Sequence, residues 1–286
     1  MGTACNTRRM IVKDLKGKNA LLTGGSKGLG PVIARALSDR GVNMALVART
    51  EDVLKSVAGE IETRGVRSAA FAADISDEAS VKSMLKRIDG EFGPIDILVN
   101  NAGMEWVYPY SEIPPETVGT MIRTNLMGPM VLTRLMLPGM IERGDCHIVT
   151  MSSLGGLKGS PYSATYAATK AGLIEWSRAI REELRDKGIG VSVICPGFVE
   201  REGMFAIYGK RAPGIVGETT PEKVADAVIR SITKNIGEIV VNSKPVRPML
   251  FLDAIHPGII PWVLRRSGVY SFYREQAEEN MSESPS

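Results

Sequence analysis

Three side chains within the stretch SSLGGLKGSPYSATYAATK, Ser152 to Lys170, could share one reaction: a hydroxyl, a phenol and an amine. Tyr166 and Lys170 are four residues apart, so if Ser163 or Thr165 opens a helix, both project from one face of it, one turn apart. An unperturbed tyrosine ionises near roughly pH 10. A cation held close favours the phenolate and brings that value down toward the range in which proton transfer to and from a substrate is efficient. Ser153, thirteen residues before Tyr166 and just past an apolar run, would add a third hydrogen-bonding group at the same place. Tyr-x-x-x-Lys also arises by chance on amphipathic helices, where the tyrosine packs half in and the lysine snorkels out. Its meaning therefore depends on the elements around it.

Those elements alternate. Asn19 to Leu22 is a short apolar run ending in Thr23, Gly24 and Gly25, the pattern of a buried strand stopped by a turn. Gly30 and Pro31 open a helical pattern through Arg40, and proline is tolerated there because the first helical N–H has no intrahelical partner. Strands are predicted over Val42 to Ala48, Val66 to Ala73 and Ile95 to Asn100, with helices over Glu51 to Arg64 and Asp77 to Glu91 between them. The second half predicts helices over Glu116 to Asn125 and Met130 to Arg143, with Gly128 and Pro129 marking a break. A fifth strand follows over His147 to Met151, then a long helix from Tyr162 or Tyr166 to Arg185 and a sixth strand over Val191 to Cys195. Pro221 begins a helix to about Ile232, and Glu238 to Val241 makes a seventh strand. Nearly continuous apolar strands alternating with helices argue for an α/β fold, a doubly wound parallel sheet covered by helices on both faces.

No inter-domain linker and no fixed-period repeat interrupts this order, so residues 1–286 are read as one domain with an N-terminal extension, 1–14, and a C-terminal one, 245–286. In the latter, Pro245, Pro248, Pro257 and Pro261 interrupt apolar patches, Met249 to Leu252 and Ile259 to Leu264, ahead of Arg265 and Arg266. Such a segment cannot be one long helix. The last nine residues, Glu278 to Ser286, are expected to be disordered.

Composition narrows the function classes. Lys and Arg number 35 against 32 Asp and Glu, a net +3 without a long block of either sign, so there is no nucleic-acid footprint. Cys5, Cys146 and Cys195 are odd in number and widely spaced, which fits free thiols in a reducing, cytoplasmic compartment. With only His147 and His256, and no Cys or His pair at ligand spacing, no metal site is expected. No run approaches the roughly 18 apolar residues of a spanning helix. The N-terminus is polar and basic with no apolar h-region, and Asn6 stands where a myristoylation pattern needs Ser or Thr.

Between the first strand and first helix lies TGGSKGLG, Thr23 to Gly30. Glycines there let the backbone approach a pyrophosphate, and the helix N-terminus offers free N–H groups and a favourable dipole. The spacing Gly24-x-x-x-Gly28-x-Gly30 is not the G-x-G-x-x-G of most dinucleotide folds, and a plain turn is the alternative. Together with Asn100-Asn101-Ala102-Gly103, Ser153, Tyr166-x-x-x-Lys170 and Pro196-Gly197, however, it resembles the short-chain dehydrogenase/reductase family from about Lys13 to Val241, with its Rossmann-like single domain.

The resemblance implies roles. Thr23, Gly24, Ser26, Lys27, Gly28, Leu29 and Gly30 would form the pyrophosphate turn, and Asp74 and Ile75 would contact the adenine. Asn101, Ala102 and Gly103 would shape the floor beneath the cofactor, with Pro196, Gly197 and Val199 near its carboxamide. Ser153, chosen over Ser152 by the thirteen-residue interval, would hold the substrate oxygen. Tyr166 would be the general acid or base, Lys170 would bind the nicotinamide ribose and tune Tyr166, and Asn125 would anchor a water in the proton relay. Where the family usually carries Thr after Pro-Gly-x-Val-x, this chain has Arg201, either a surface residue or a contact for an acidic or phosphorylated group.

Cofactor choice turns on the end of the second strand, where an acidic residue would hold a ribose hydroxyl and an arginine would pair with a 2′-phosphate. Here Arg49 stands nineteen residues past Gly30, with Lys27 as a second cation, and the expected cofactor is NADP(H). Both could instead be solvated cations, given Glu51 and Asp52 nearby. Around the substrate the fold would place Met104, Trp106, Leu154, Tyr162, Phe198, Met204 and Tyr208, which suits a hydrophobic lipid-, steroid- or acyl-like carbonyl or secondary alcohol. Core or subunit-interface packing is the plainer reading of the same residues. The proline-broken C-terminal segment is expected to be a lid or a subunit contact, with a membrane-surface anchor as the less favoured alternative. A homodimer or homotetramer of an NADP(H)-dependent oxidoreductase is expected; the competing class is an idle NADP-binding scaffold on the same fold.

Overall fold

The protein is described by a computed structural model over residues 14–205 and 210–283. In chain order the first half runs β1 (Asn19–Thr23), α1 (Leu29–Ser38), β2 (Asn43–Ala48), α2 (Glu51–Glu62), β3 (Ser68–Ala72), α3 (Glu78–Glu91) and β4 (Ile97–Asn100). The second half continues with α4 (Pro115–Ile122), a π-helical turn (Arg123–Met127), α5 (Gly128–Arg143), β5 (Cys146–Met151), α6 (Leu154–Leu157), α7 (Ala164–Glu183) and β6 (Ile189–Pro196). After β7 (Phe198–Val199) and β8 (Glu218–Thr219), which pair only with each other, come α8 (Pro221–Thr233) and β9 (Glu238–Val241). Three helices close the chain: α9 (Arg247–Ile255), α10 (Ile259–Arg266) and α11 (Val269–Glu283).

The main sheet has seven strands in the order β3-β2-β1-β4-β5-β6-β9, all pairs parallel. Every residue of β4, β5 and β6 is buried, because helices cover both faces and apolar side chains are needed on each. Adjacent residues divide between the two layers: Leu22 packs with Ile33, Leu46 and Val228 on one side, and Leu21 with Phe71, Val81 and Ile148 on the other. Strand order reverses between β1 and β4, so the connections leaving these two strands part and open a crevice at their carboxyl ends.

Two sequence expectations change. Gly128 and Pro129 do not break the chain into separate helices; α4, the π turn and α5 follow without a gap. A proline can neither donate to the carbonyl four residues back nor fit beside it, and a wider turn gives its ring room. At Gly128 a Cβ would lie 2.6 Å from the Ile75 carbonyl oxygen, so this helix touches the loop after β3 through bare backbone. The last nine residues are not disordered as a block, since α11 runs through Glu283, with 284–286 outside the described residues. Polar composition alone suggested disorder, but Asn280 donates to the Val107 carbonyl at 2.9 Å and Tyr108 Oη donates to the Asn280 carbonyl at 2.7 Å. Among the described residues no helix is long and apolar enough to cross a membrane.

Gly128→Ala tests the close approach: overpacking against Ile75 should lower the unfolding free energy by about 1–3 kcal/mol in urea titration. An unchanged midpoint would show that the helix can draw back without cost.

Candidate active site

The carboxyl ends of the strands open on one cavity of about 850 Å³. At one end β1 stops at Thr23, whose Oγ1 accepts from the amides of Asn101 at 3.0 Å and Ala102 at 3.1 Å and so ties β1 to β4. Gly24 follows at φ 69°, where a Cβ would stand 2.9 Å from the Ala102 Cα; no larger residue fits. A Cβ on Gly30 would meet the Gly24 carbonyl oxygen at 2.0 Å, so the turn is closed on itself. Gly24, Ser26, Lys27, Gly28 and Leu29 line the cavity, while Thr23 and Gly30 stand behind its wall. Helix α1 begins here, and its first amides have no intrahelical partner.

Next along the cavity lie Asp74, Ile75 and Arg49, then Asn101, Ala102 and Gly103. Arg49 and Lys27 are exposed. Burial raises the Asp74 carboxyl, but bonds from the Ser76 hydroxyl and amide, at 2.7 and 2.8 Å, and the charge of Arg49 outweigh it and hold the group below its ordinary value.

The hydroxyl, phenol and amine do meet. Ser153, extended at φ −163°, caps α6 by accepting from the Gly155 amide at 3.1 Å, and a Cβ on Gly155 would lie 3.5 Å from its Oγ and 3.6 Å from Tyr166 Cε1, so the two side chains approach one point. Ser163 occupies the N-cap position of α7, and Tyr162, at φ 66°, lies outside the helix. Tyr166 and Lys170 are both buried on α7. Lys170 Nζ donates to the Met151 carbonyl at 2.9 Å and sits 5.5 Å from the Tyr166 ring centre. The neighbouring Ser152 is spent structurally, donating to the Lys170 carbonyl at 2.8 Å. A Cβ at Gly156 would fall 2.6 Å from the Lys170 carbonyl carbon, so α6 rests directly on α7.

Asn125, carried by the π turn, does not line the cavity. Its side chain grips the Met104 backbone from behind, accepting from the amide at 2.8 Å and donating to the carbonyl at 2.7 Å. A Cβ on Gly103 would lie 3.4 Å from both Asn125 Oδ1 and Lys170 Nζ, so these two groups approach one point.

Charge in the site differs from the simple picture of a lysine acidifying a phenol. Burial lowers the Lys170 amine to about 8, with Glu105 and Cys195 opposing the fall. Burial, and then the Glu105 carboxylate, push the Tyr166 phenol well above its ordinary value, and Ser153 only partly offsets them. Burial is the larger influence on the phenol, and the ammonium donates to the Met151 carbonyl. Tyr166 therefore carries its proton.

Glu105 was missed from sequence, although an acid directly after Asn-Asn-Ala-Gly-Met in an apolar loop is a visible signal. It accepts from the Ser163 hydroxyl at 2.7 Å, and burial pushes its carboxyl up against the opposing pull of Ser163 and Lys170.

On the remaining wall Met104, Trp106, Leu154, Phe198 and Met204 line the cavity, as do Pro196, Gly197 and Val199. Tyr162 does not, and Tyr208 lies outside the described residues. Phe205 and Tyr273 join the wall unanticipated. Phe198 packs against Phe205 with ring centres 4.7 Å apart and against Tyr273 at 6.3 Å, and Phe272 backs the group. No pattern in α11 announced Tyr273, because its partners are 75 residues away in sequence. Of the C-terminal segment, Tyr273 of α11 lines the cavity, while no described residue of α9 or α10 does. Arg201 reaches the cavity rim but is mostly exposed and ion-paired with Glu222 at 2.8 Å, in keeping with the surface reading.

Comparison with known proteins agrees with this geometry. A family model described as short chain dehydrogenase matches residues 18–212. The ketoacyl reductase HetN of Nostoc sp. is 36% identical over 274 residues, spanning 94% of this chain and 96% of that protein. The 3-oxoacyl-acyl-carrier-protein reductase FabG of Escherichia coli is 32% identical over 214 residues, 75% of this chain and 86% of that one. Among solved structures, a short-chain type dehydrogenase/reductase from Mycobacterium marinum superposes with a TM-score of 0.74 at 27% identity, covering 82% of this chain and 98% of the other.

Asn125→Ala should leave both backbone groups of Met104 without these partners and cost about 2 kcal/mol on urea unfolding. Stability equal to the parent would mean that the clamp is dispensable.

Proposed function

The chain belongs to the short-chain dehydrogenase family, and from that premise we propose that it transfers a hydride between NADP(H) and the carbonyl, or secondary alcohol, carbon of a hydrophobic acyl- or lipid-like substrate. The observation that carries the proposal is the meeting of Ser153, Tyr166 and Lys170 on one cavity with a glycine turn at its other end. The nicotinamide would supply the hydride chemistry itself. What remains for the protein is the oxygen, where negative charge grows as hydride reaches carbon.

Ser153 already accepts one bond from Gly155, which leaves its O–H free to donate to that oxygen. Tyr166, held in its protonated form, hands its proton to the developing alkoxide, and two donors stabilise charge where it forms. A protonated phenol and relatives named as reductases both favour the reductive direction. Lys170, its amine lowered by burial to about 8, is mostly charged below that pH, ready to bind ribose hydroxyls and to replace the proton Tyr166 gives up. Asn125 acts behind the site by fixing the Met104 backbone. Arg49 and Lys27, both exposed at the cavity, would pair with a 2′-phosphate, which favours NADP(H) over NAD(H). Met104, Trp106, Leu154 and the Phe198–Phe205–Tyr273 cluster would shelter an apolar chain.

The described chain serves this as one unit, because α11 supplies Tyr273 to the wall. Ile122, Met127 and Ile141, exposed along α4, the π turn and α5, supply an apolar face for a homodimer or homotetramer. The buried free thiols Cys146 and Cys195 suit the reducing cytoplasm.

NADPH consumption across carbonyls of increasing chain length tests the reading. Tyr166→Phe should lower turnover by about 10²–10⁴-fold while NADPH still binds. Undiminished turnover would remove Tyr166 from the mechanism, and no turnover by the parent with tight NADPH binding would indicate an idle scaffold. Arg49→Asp should weaken NADPH binding by roughly tenfold or more, and NADH binding far less. Equal losses for both cofactors would overturn the NADP(H) assignment.

A further inference from the structure

The described surface has thirteen exposed large apolar residues, and five of them fall between residues 251 and 262: Phe251, Leu252, Ile255, Ile259 and Trp262. Phe251 is 68% exposed, Ile255 67% and Trp262 58%. The helical spacing gathers them. Phe251, Leu252 and Ile255 share one face of α9, and Ile259 and Trp262 one face of α10, which packs against it. The opposite faces are anchored. Asp253 pairs with Lys158 at 2.7 Å, and Ile260 and Leu264 are buried with Val269 beneath.

Cations flank this apolar face along the chain. Between residues 244 and 268 the chain carries Lys244, Arg247, Arg265 and Arg266 against a single acid, Asp253, which is turned inward onto Lys158; Arg247 pairs with Glu238 of β9 at 3.6 Å. Arg266 lies 5.1 Å over the Trp262 ring, and neither Arg265 nor Arg266 has a carboxylate partner among the described residues. A tryptophan stacked under an arginine at the edge of an aliphatic face has the amphipathic character that suits the boundary between lipid headgroups and acyl chains.

We propose that α9 and α10 dock the protein onto an anionic lipid bilayer surface, with Phe251, Leu252, Ile255, Ile259 and Trp262 entering the interface and Arg265 and Arg266 meeting the headgroups. A second copy of the chain fits this face less well, since a two-fold contact sets the same surface against itself and would bring like charges together with no exposed acid from this segment to offset them. An anionic surface supplies the missing charge along with an apolar phase. The face also connects to the cavity. Lys158, the partner of Asp253, ends the helix that begins at Leu154, and Tyr273 packs on the cluster formed by Ile260 and Leu264 while lining the cavity. A docked protein would thus hold its apolar cavity wall close to the membrane.

Sedimentation of the full chain with vesicles tests this without any substrate. The protein should pellet with phosphatidylcholine vesicles containing phosphatidylglycerol, much less with phosphatidylcholine alone, and less as salt is added. Arg265→Glu with Arg266→Glu, and separately Phe251→Ser with Ile255→Ser and Trp262→Ser, should each weaken binding by roughly tenfold or more without changing the melting temperature. Failure of the parent to bind anionic vesicles, or equal binding to neutral ones, overturns the proposal. So does light scattering that shows the apolar variant splitting an oligomer of the parent, because the face would then be a contact between copies. These outcomes do not depend on hydride transfer.

Discussion

Burying an amine is expensive, and the arrangement around Lys170 is organised by what makes that burial tolerable. The side chain is only 2% exposed, and its ammonium is held by the Met151 carbonyl at the end of β5. That bond fixes the distance between strand and helix. Ser152 returns a second bond from the strand to the Lys170 carbonyl, and Gly156 removes the one Cβ that would keep α6 away from α7. Ser153 and Tyr166 flank this tie, so the geometry of the proposed reacting groups follows from satisfying a buried cation.

The rest of the cavity is shaped by polar side chains that bind backbone. Thr23 and Asn101 lock the ends of β1 and β4, where the sheet order reverses, and Asn125 holds Met104 from the rear. Each serves amides or carbonyls that a loop would otherwise leave unpaired away from water. Thr23 and Asn125 stand behind the wall, and the surface offered to a ligand carries glycines, Arg49 and Lys27 at one end and aromatic rings at the other. Glu105 is the exception, a carboxyl at the cavity that adds to the larger effect of burial in raising the Tyr166 phenol.

The C-terminal helices have two faces with different environments. Tyr273 and Phe272 complete an aromatic cluster that begins with Phe198, whereas α9 and α10 turn their largest side chains to solvent. Pro248 in the first turn of α9 and Pro257 just ahead of α10 allow the chain to change direction between these duties.

By itself the sequence determined the alternation of elements, the parallel sheet and the spacing of Ser153, Tyr166 and Lys170, because apolar periodicity and local turn chemistry report on neighbours along the chain. Helix boundaries were legible to within a few residues wherever a cap or glycine marked them, as at Asp77 and Thr220. What tertiary structure alone decided concerns groups distant in sequence: the raised phenol of Tyr166, the clamp of Asn125 on Met104, the arrival of Tyr273, and the order of α11 through Asn280. Spacing can place two side chains on one helical face. Burial, and the carboxylate that another loop brings beside them, set how tightly each of the two holds its proton, and those depend on contacts that no local pattern encodes.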